Sequence, residues 1–500
     1  MRGRPLHGDP AMALSPGRPR QAHGVPVGTP AAGQPAAGDG AAADVVDYKV
    51  ARHIATQVAR QREELLKTAA GVDRAAEEQY CLNWINEAVA LWSDAQGVER
   101  GVSPTPQEDD ALRRAVYDLL YRAGRLQPYL DDERVEDILI HGPDEVWLDY
   151  GDGVRRRVGP VADSEEELLE MLRELARDSG HSERTISTAN PTLALSLKDG
   201  SRLQAVTGLG PMTYAVIRRH RVADADLDAL VRLGMIDAVL REFLGACVRA
   251  EKNIMIAGKQ KAGKTTLLRA MLREFDPQCR FATVQSEDEL FAHADGYHRQ
   301  AVSLIARESN GEKDATGRGA GEVTLLDLMH PALRMSLERI VVGEVRGPEV
   351  VAMMQALTNG AGGNLCTIHA RRPDTVFDRI AELYALAQGN LSEQLAYRQT
   401  ANGLDFIVYV DMTDETQIGG RRHRYVSHVL EVTGIGESGR PATNEVFCPG
   451  REFGELRAVP RMDPACVDDL RRVGFDSHLL QQPYGAWARP LALKVEGLST

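Results

Sequence analysis

The 500-residue chain is short of cysteine, of lysine, of net positive charge and of long apolar runs. Its six cysteines (Cys81, Cys247, Cys279, Cys366, Cys448 and Cys466) lie far apart and none forms a CxxC pair. That excludes zinc-ligand and redox-motif spacing and leaves free thiols of a reducing compartment as the reading. No apolar run approaches the ~18–20 residues that cross a bilayer, and the N-terminus has no apolar signal core. A membrane span and export by the usual route are both disfavoured, while docking onto a membrane protein stays open. The net charge of −13 argues against a chain whose business is coating nucleic acid. With 43% apolar and 26% charged residues the chain is globular, and at ~150 residues per domain its length suggests about three domains.

What is present is unevenly spread. Four of the nine lysines fall between Lys252 and Lys264, whereas the rest of the chain takes its positive charge from arginine. Residues 1–43 hold ten Ala, eight Gly and seven Pro with no apolar period, so 1–45 reads as a disordered tail. From Asp47 to Gln96, Val58, Leu65, Leu66, Leu82, Ile85, Ala88, Val89 and Trp92 recur at helical steps, and a further helix is predicted over Asp109 to Ala123, stopped by Gly124. The segment 46–125 is thus a helical extension.

Residues 126–222 read as a smaller α/β domain. Strands are predicted at Val135–His141, Val146–Leu148, Leu193–Leu197, Leu203–Val206 and Tyr214–Ile217, with an amphipathic helix at Leu168–Leu175 and a hairpin turn at Lys198–Ser201. One helix is predicted over Leu230–Ala250, then a buried strand at Ile254–Ala257, then alternating strands and helices to about residue 412. That alternation implies a largely parallel sheet with helices on both faces, assigned to 223–440. Residues 441–500 show an irregular pattern and read as a partly ordered appendage. The stretch Glu308–Gly321 reads as a mobile inserted loop.

The strongest motif is GKQKAGKT, Gly258 to Thr265, between an apolar strand and a helix beginning near Lys264. A nucleoside triphosphate needs a concave set of backbone N–H donors, and glycine lets the chain curl that tightly. Gly258, Lys259, Gln260, Lys261, Ala262, Gly263, Lys264, Thr265 and the following Thr266 are therefore the candidate nucleotide-binding loop, with Lys264 on the phosphates and Thr265 on Mg²⁺. Lys259 and Lys261 either add charge beside the phosphates or are solvated side chains. RIVVGEVRG, Arg339 to Gly347, is a buried strand delivering Glu344 to the carboxyl end of the sheet, where a carboxylate can orient water or hold a Mg²⁺ shell. NLCTIHA, Asn364 to Ala370, delivers His369 to the same edge.

These motifs, with RVEDILIHGPDEVW, KDGSRLQAV, VIRRH and GGNLCTIHARRP, resemble the secretion ATPases of type II and type IV systems and type IV pili, above all the CpaF-type branch that assembles Flp (tight-adherence) pili. The likeness spans roughly residues 108–440. It implies an N-terminal α/β domain joined to a RecA-like P-loop domain, ATP and Mg²⁺ as cofactors, and a homo-hexameric ring. It also implies a cytoplasmic location at the inner face of the membrane, inner-membrane platform proteins as partners, and no stable nucleic-acid binding. By the same likeness Glu344, His369 and Glu289 are catalytic, Thr265 and Glu344 hold the metal, and Arg202, Arg218, Arg219 and Arg307 reach the phosphates. Three departures stand out: Gln285 and Ser286 replace the acids of the family's Asp box, Lys259 and Lys261 stand where glycine is usual, and Ser196 stands where arginine is frequent. The leading reading is an ATP-driven motor. The others are a nucleotide-gated scaffold with little hydrolysis, a conjugation-type motor, and an unrelated P-loop kinase.

Overall fold

A helical segment, an antiparallel sheet and a mixed sheet follow one another along the chain in the computed structural model. It describes residues 46–68, 73–151, 153–179, 186–197, 200–219, 226–294, 296–307, 321–358, 360, 362–387, 389 and 391–495. The expected tail at 1–45, the 308–320 insertion and part of the Lys198–Ser201 turn lie outside them.

The helical segment comprises α1 (Tyr48–Thr68), α2 (Arg74–Arg100) and α3 (Pro106–Tyr121). Asp73 caps α2, and Thr105 with Glu108 forms a capping box on α3 with Pro106 in its first turn, satisfying amides that would otherwise lack partners. Ile54, Val58, Cys81, Ile85, Val89, Leu112 and Val116 bury the faces where the three helices meet. Arg52 and Arg125 both pair with Asp163 of the next unit, at 3.1 and 2.8 Å, and the Arg125 guanidinium lies 4.7 Å from the centre of the Tyr48 ring.

The second unit holds α4 (Gln127–Asp131), β1 (Asp137–His141), β2 (Glu145–Asp149), β3 (Arg155–Val158), α5 (Glu165–Asp178), β4 (Thr192–Ser196), β5 (Arg202–Val206) and β6 (Tyr214–Arg218). Its strands run in the order β3-β2-β1-β6-β5-β4 with antiparallel pairings. Ile138, Ile140, Leu203, Ala205, Ala215 and Ile217 point from one face onto Leu168, Leu172 and Ala176 of α5. The register sets Arg202 opposite Arg218 and Arg218 opposite Asp137, so three charged residues line up across β5, β6 and β1.

The third unit contains α6 (Leu227–Arg232), α7 (Ala238–Arg249), β7 (Ile254–Gly258), α8 (Lys264–Leu272), β8 (Phe281–Gln285), β9 (Ala301–Ile305), α9 (Leu325–Ala332), β10 (Arg339–Val345), α10 (Glu349–Thr358), β11 (Leu365–His369), α11 (Val376–Leu386), α12 (Glu393–Gly403), β12 (Phe406–Asp414), β13 (Arg422–Ile435), β14 (Pro441–Pro449), β15 (Ala458–Pro460) and α13 (Val467–Arg472). The sheet order is β15-β14-β13-β12-β7-β11-β10-β8-β9. Pairings from β12 through β7, β11, β10 and β8 to β9 are parallel, and those among β12, β13, β14 and β15 are antiparallel. One apolar core forms on each face, the first around Phe243, Leu267 and Phe275, the second around Met353, Ile380 and Tyr384. No helix among the described residues is long and apolar enough to cross a membrane. All six cysteines are free, four of them buried.

Two expectations are corrected here. The single helix over Leu230–Ala250 is two: Gly234 turns at φ 74° and Asp237 caps a fresh start, accepting from the Leu240 amide at 2.8 Å. The apolar face continued through the break, which is why periodicity alone ran the two together. Residues 441–460 are no appendage to the sheet but its continuation in β14 and β15. Phe447 and Phe475 pack on Phe243, with ring centroids 5.0 and 5.7 Å away.

At the amino ends of the central parallel strands, Asn253 and Asn364 tie neighbours together. The Asn253 side chain donates to the Gly403 and Leu357 carbonyls at 2.8 and 3.3 Å and accepts from the Asn364 amide at 3.0 Å. Asn364 in turn accepts from Ile340 N at 2.8 Å.

Candidate nucleotide site

β7 is buried throughout and ends at Gly258, where a Cβ would collide with the Val410 carbonyl oxygen of β12, so the strand can turn into its loop only as glycine. The loop ends at Gly263, φ 99°, which stands as the N-cap of α8 and offers it no side-chain cap. The first amides of α8 are therefore free to face an anion at the positive end of the helix. Lys261 holds φ 60°, a left-handed value that costs a side-chain-bearing residue roughly 1–2 kcal/mol.

Lys264 is only 6% exposed. Its ammonium donates to the Lys259 carbonyl at 2.9 Å and lies 3.0 Å from Nδ1 of His369. An ammonium only donates, so Nδ1 accepts and the ring proton sits on Nε2, 2.8 Å from Oε1 of Glu344. Arg346 closes the line, 3.0 Å from the other Glu344 oxygen, and donates to the Ser286 hydroxyl at 3.2 Å. Burial pulls the Lys264 ammonium down to about 8, with Glu344 and Glu289 acting against it. Burial also pushes the Glu344 carboxyl up, but His369, Arg346 and Lys264 outweigh it and hold it below its ordinary value.

The antiparallel sheet approaches from the other side. Arg202 pairs with Glu289 at 2.8 Å and contacts Glu287, and it feels the charges of Arg346 and Glu344. Arg218 pairs with Asp137 at 2.8 Å. These two expected phosphate ligands thus face the loop but are engaged by carboxylates. Arg219 turns instead to the Asp132 carbonyl, and Arg307 is exposed and donates to the Gly321 carbonyl at 2.6 Å, so neither joins the group. Of the loop side chains, Lys259 pairs with Asp411 at 2.7 Å and Lys261 with Asp137 at 2.6 Å, so neither is simply solvated. Gln260 and Thr266 are exposed, Thr265 is half-buried and Ala262 is buried.

Gln285, where the family's box carries an acid, is 2% exposed. Its carbonyl oxygen accepts from the Glu289 and Leu290 amides at 3.0 and 2.9 Å, and its amide donates to Thr283 and Asp288 at 3.2 and 3.3 Å. The neutral side chain builds the turn that carries Glu289 toward Arg202.

Several participants escaped sequence reasoning. Arg346 lies inside the quoted GEVRG motif, two residues past its partner Glu344, and Asp137 lies inside RVEDILIHG, where only the register of β1 against β6 reveals its pairing with Arg218. Arg424 comes from β13, and nothing in its neighbours signals a role at the loop. A cleft of about 530 Å³ opens on the far side of the loop, lined by Gly258, Lys259, His369, Arg371, Asp378 and Arg379.

Among the described residues no group of three or more His, Cys, Asp or Glu side chains could hold a metal ion. Mg²⁺ at a phosphate site needs only one or two protein oxygens beside phosphate and water. The Thr265 hydroxyl in the first turn of α8 and the Glu344 carboxylate are oxygen donors of the right kind, and the uncapped helix start suits the phosphates.

A buried strand, a glycine-bounded loop and an uncapped helix bearing a buried lysine, with a histidine and a carboxylate on the next two strands, define a P-loop NTPase domain. More particularly, the chain belongs to the type II/IV secretion system protein family, which matches residues 191–404. It is 35% identical over 305 residues to the putative conjugal transfer protein Rv3659c of Mycobacterium tuberculosis (strain ATCC 25618 / H37Rv), covering 58% of this chain and 80% of that one. It is 25% identical over 348 residues to the type IV secretion system protein VirB11 of Brucella suis biovar 1 (strain 1330), covering 64% and 92%. Among solved structures it is similar to the Legionella pneumophila ATPase DotB, at 17% identity and a TM-score of 0.42, over 63% of this chain and 81% of that one.

Proposed function

We propose that the chain is an ATP-hydrolysing motor of a type II/IV secretion or pilus-assembly system, of the branch that serves Flp-type pili. It works as a homo-hexamer at the cytoplasmic face of the membrane and pushes on a platform protein there. One observation carries the reading. The Lys264–His369–Glu344 line on the P-loop domain stands across from Arg202 and Arg218 of another domain. A triphosphate there would draw cations from both sides, so its presence would bias the angle between the domains.

Bound Mg²⁺ would neutralise phosphate charge, held by Thr265 and Glu344. Lys264 would leave the Lys259 carbonyl and His369 for the phosphates. His369, hydrogen-bonded to Glu344, would hold that carboxylate at the strand end, where it can orient water. The low carboxyl of Glu344 keeps it ionised at neutral pH for that task. Arg202 and Arg218 would exchange carboxylate partners for phosphate oxygens.

Phosphate release by the purified chain with ATP and Mg²⁺ tests the reading, with Glu344→Gln as the partner measurement. Turnover that falls at least about a hundredfold in the variant, with binding retained, supports the motor. A second reading, a nucleotide-gated scaffold, draws on Gln285, whose hydrogen bonds are spent inside its own turn so that no carboxylate stands there. Tight ATP binding without phosphate release in the unaltered chain would favour it and overturn the motor.

A further inference from the structure

The tip of the loop is gripped from outside its own strand and helix. Lys261 Nζ donates to Oδ2 of Asp137 at 2.6 Å, across from the antiparallel sheet. The Lys261 carbonyl accepts from Arg424 Nε at 2.9 Å, and the same guanidinium reaches Glu136 at 3.3 Å. The neighbouring carboxylates Glu136 and Asp137 thus hold one residue of the loop by its side chain and, through Arg424, by its backbone. The Asp137 side chain is 3% exposed, and Arg218 donates to its Oδ1 at 2.8 Å and its Oδ2 at 3.3 Å. The position so gripped is Lys261 with φ 60°, a conformation that glycine takes freely and lysine does not.

We propose that Asp137 is a positioning residue for the phosphate loop: from the other domain, and through Lys261, it holds the loop tip in the left-handed turn that the cradle requires. The inference rests on the reading of Gly258–Thr265 as a triphosphate cradle. Where a glycine would make this turn by itself, the chain carries a lysine tethered to a buried carboxylate. Loop shape thereby depends on domain docking. By linkage, anything that undocks the domains loosens the cradle, and a ligand that needs the cradle favours docking.

The test uses the full chain and four variants: Asp137→Asn, Lys261→Met, Lys261→Gly, and Asp137→Asn with Lys261→Gly. The first readout is hydrogen exchange of the 258–266 amides without nucleotide. The second is affinity for a fluorescent ATP analogue. Lys261→Met keeps a side chain at the left-handed position but loses the tether, so exchange quickens and affinity falls about five-fold. Lys261→Gly loses the tether but not the turn, so its loop amides exchange within about two-fold of the unaltered rate. Asp137→Asn matches Lys261→Met in loop exchange, and adding it to Lys261→Gly quickens that exchange no further. Equal loop exchange in the Met and Gly variants, or an Asp137→Asn quickening of the same size in both backgrounds, overturns the proposal. Should Asp137→Asn not fold, the contrast between Met and Gly decides alone. A chain that binds no triphosphate at all sinks the cradle reading, and exchange of the loop amides then still decides whether Asp137 positions them.

Discussion

His369 Nε2 and Glu344 Oε1 meet at 2.8 Å, at the carboxyl ends of the adjacent parallel strands β11 and β10. Neither residue is next to the loop in sequence. The pairing of the two strands shifts between Val342 and Val345, so that Glu344 and His369 flank the Val345–Ile368 pair, and the buried Lys264 ammonium lies on the other imidazole nitrogen.

Triphosphate affinity should fall as pH rises past about 8. Burial disfavours the charged Lys264, so its ammonium deprotonates near that pH in the free protein, while phosphate restores the proton. The loss reaches up to about ten-fold per pH unit at the alkaline limit. Titrations in two buffers of different ionisation enthalpy will show proton uptake on binding at pH 8.5. Lys264→Arg, which stays charged, should bind with a flat profile over the same range.

Gln285→Leu should destabilise the P-loop domain by about 2–4 kcal/mol, because the buried Glu289 and Leu290 amides lose their acceptor. Urea unfolding followed by a probe in that domain measures it. Gln285→Glu, which restores an acid, should lower turnover rather than raise it. Its carboxylate would face Asp288, now 3.3 Å from the Gln285 amide, and would disturb the turn that presents Glu289 to Arg202. Higher turnover in Gln285→Glu would show that the missing acid, not the turn, limits the reaction.

Asp118, on α3, is raised to about 6 chiefly by burial, with Arg122 only partly offsetting it. A carboxyl raised above its ordinary 3.8 contributes stability in full below that pH and loses it as pH climbs through about 6. At pH 7.5 the ionised group is therefore a liability to the helical segment. Asp118→Asn should slow exchange of the α3 amides about five-fold at pH 7.5, corrected for intrinsic rates, and make no difference at pH 4.

Phe475→Ala should cost about 3–5 kcal/mol. The ring packs on Phe243, itself against Phe406 of β12 and Phe447 of β14. A chain cut after residue 440 should accordingly fail to yield a stable P-loop domain. A soluble, cooperatively unfolding 1–440 fragment would contradict this placement of the C-terminal residues.

How far the sequence could be read follows from the range of the interactions involved. The loop, Glu344 and His369 were legible because each ends a short apolar strand, and the chemistry needs them at strand ends. The lateral row Arg202, Arg218 and Asp137 was half legible: the arginines were expected at phosphates, but their carboxylate partners depend on antiparallel register, which no local pattern states. Gln285 was legible only as a missing acid, because the Glu289 and Leu290 amides that its side chain binds meet it only in the folded turn. The irregular composition beyond 440 hid two strands, because each pairs with a neighbour on the sheet rather than following a period of its own.

The asparagine cross-links between β7, β11 and β10 sit at the end of the sheet away from Lys264 and Glu344. One end of the parallel sheet is thus riveted while the other carries the charged groups. In the motor proposed above, force arising at the charged end would not dissipate by the strands splaying at their feet. It would pass through the loops at the rim to the domain bearing Asp137 and Arg202, which pair there with Lys261 and Glu289.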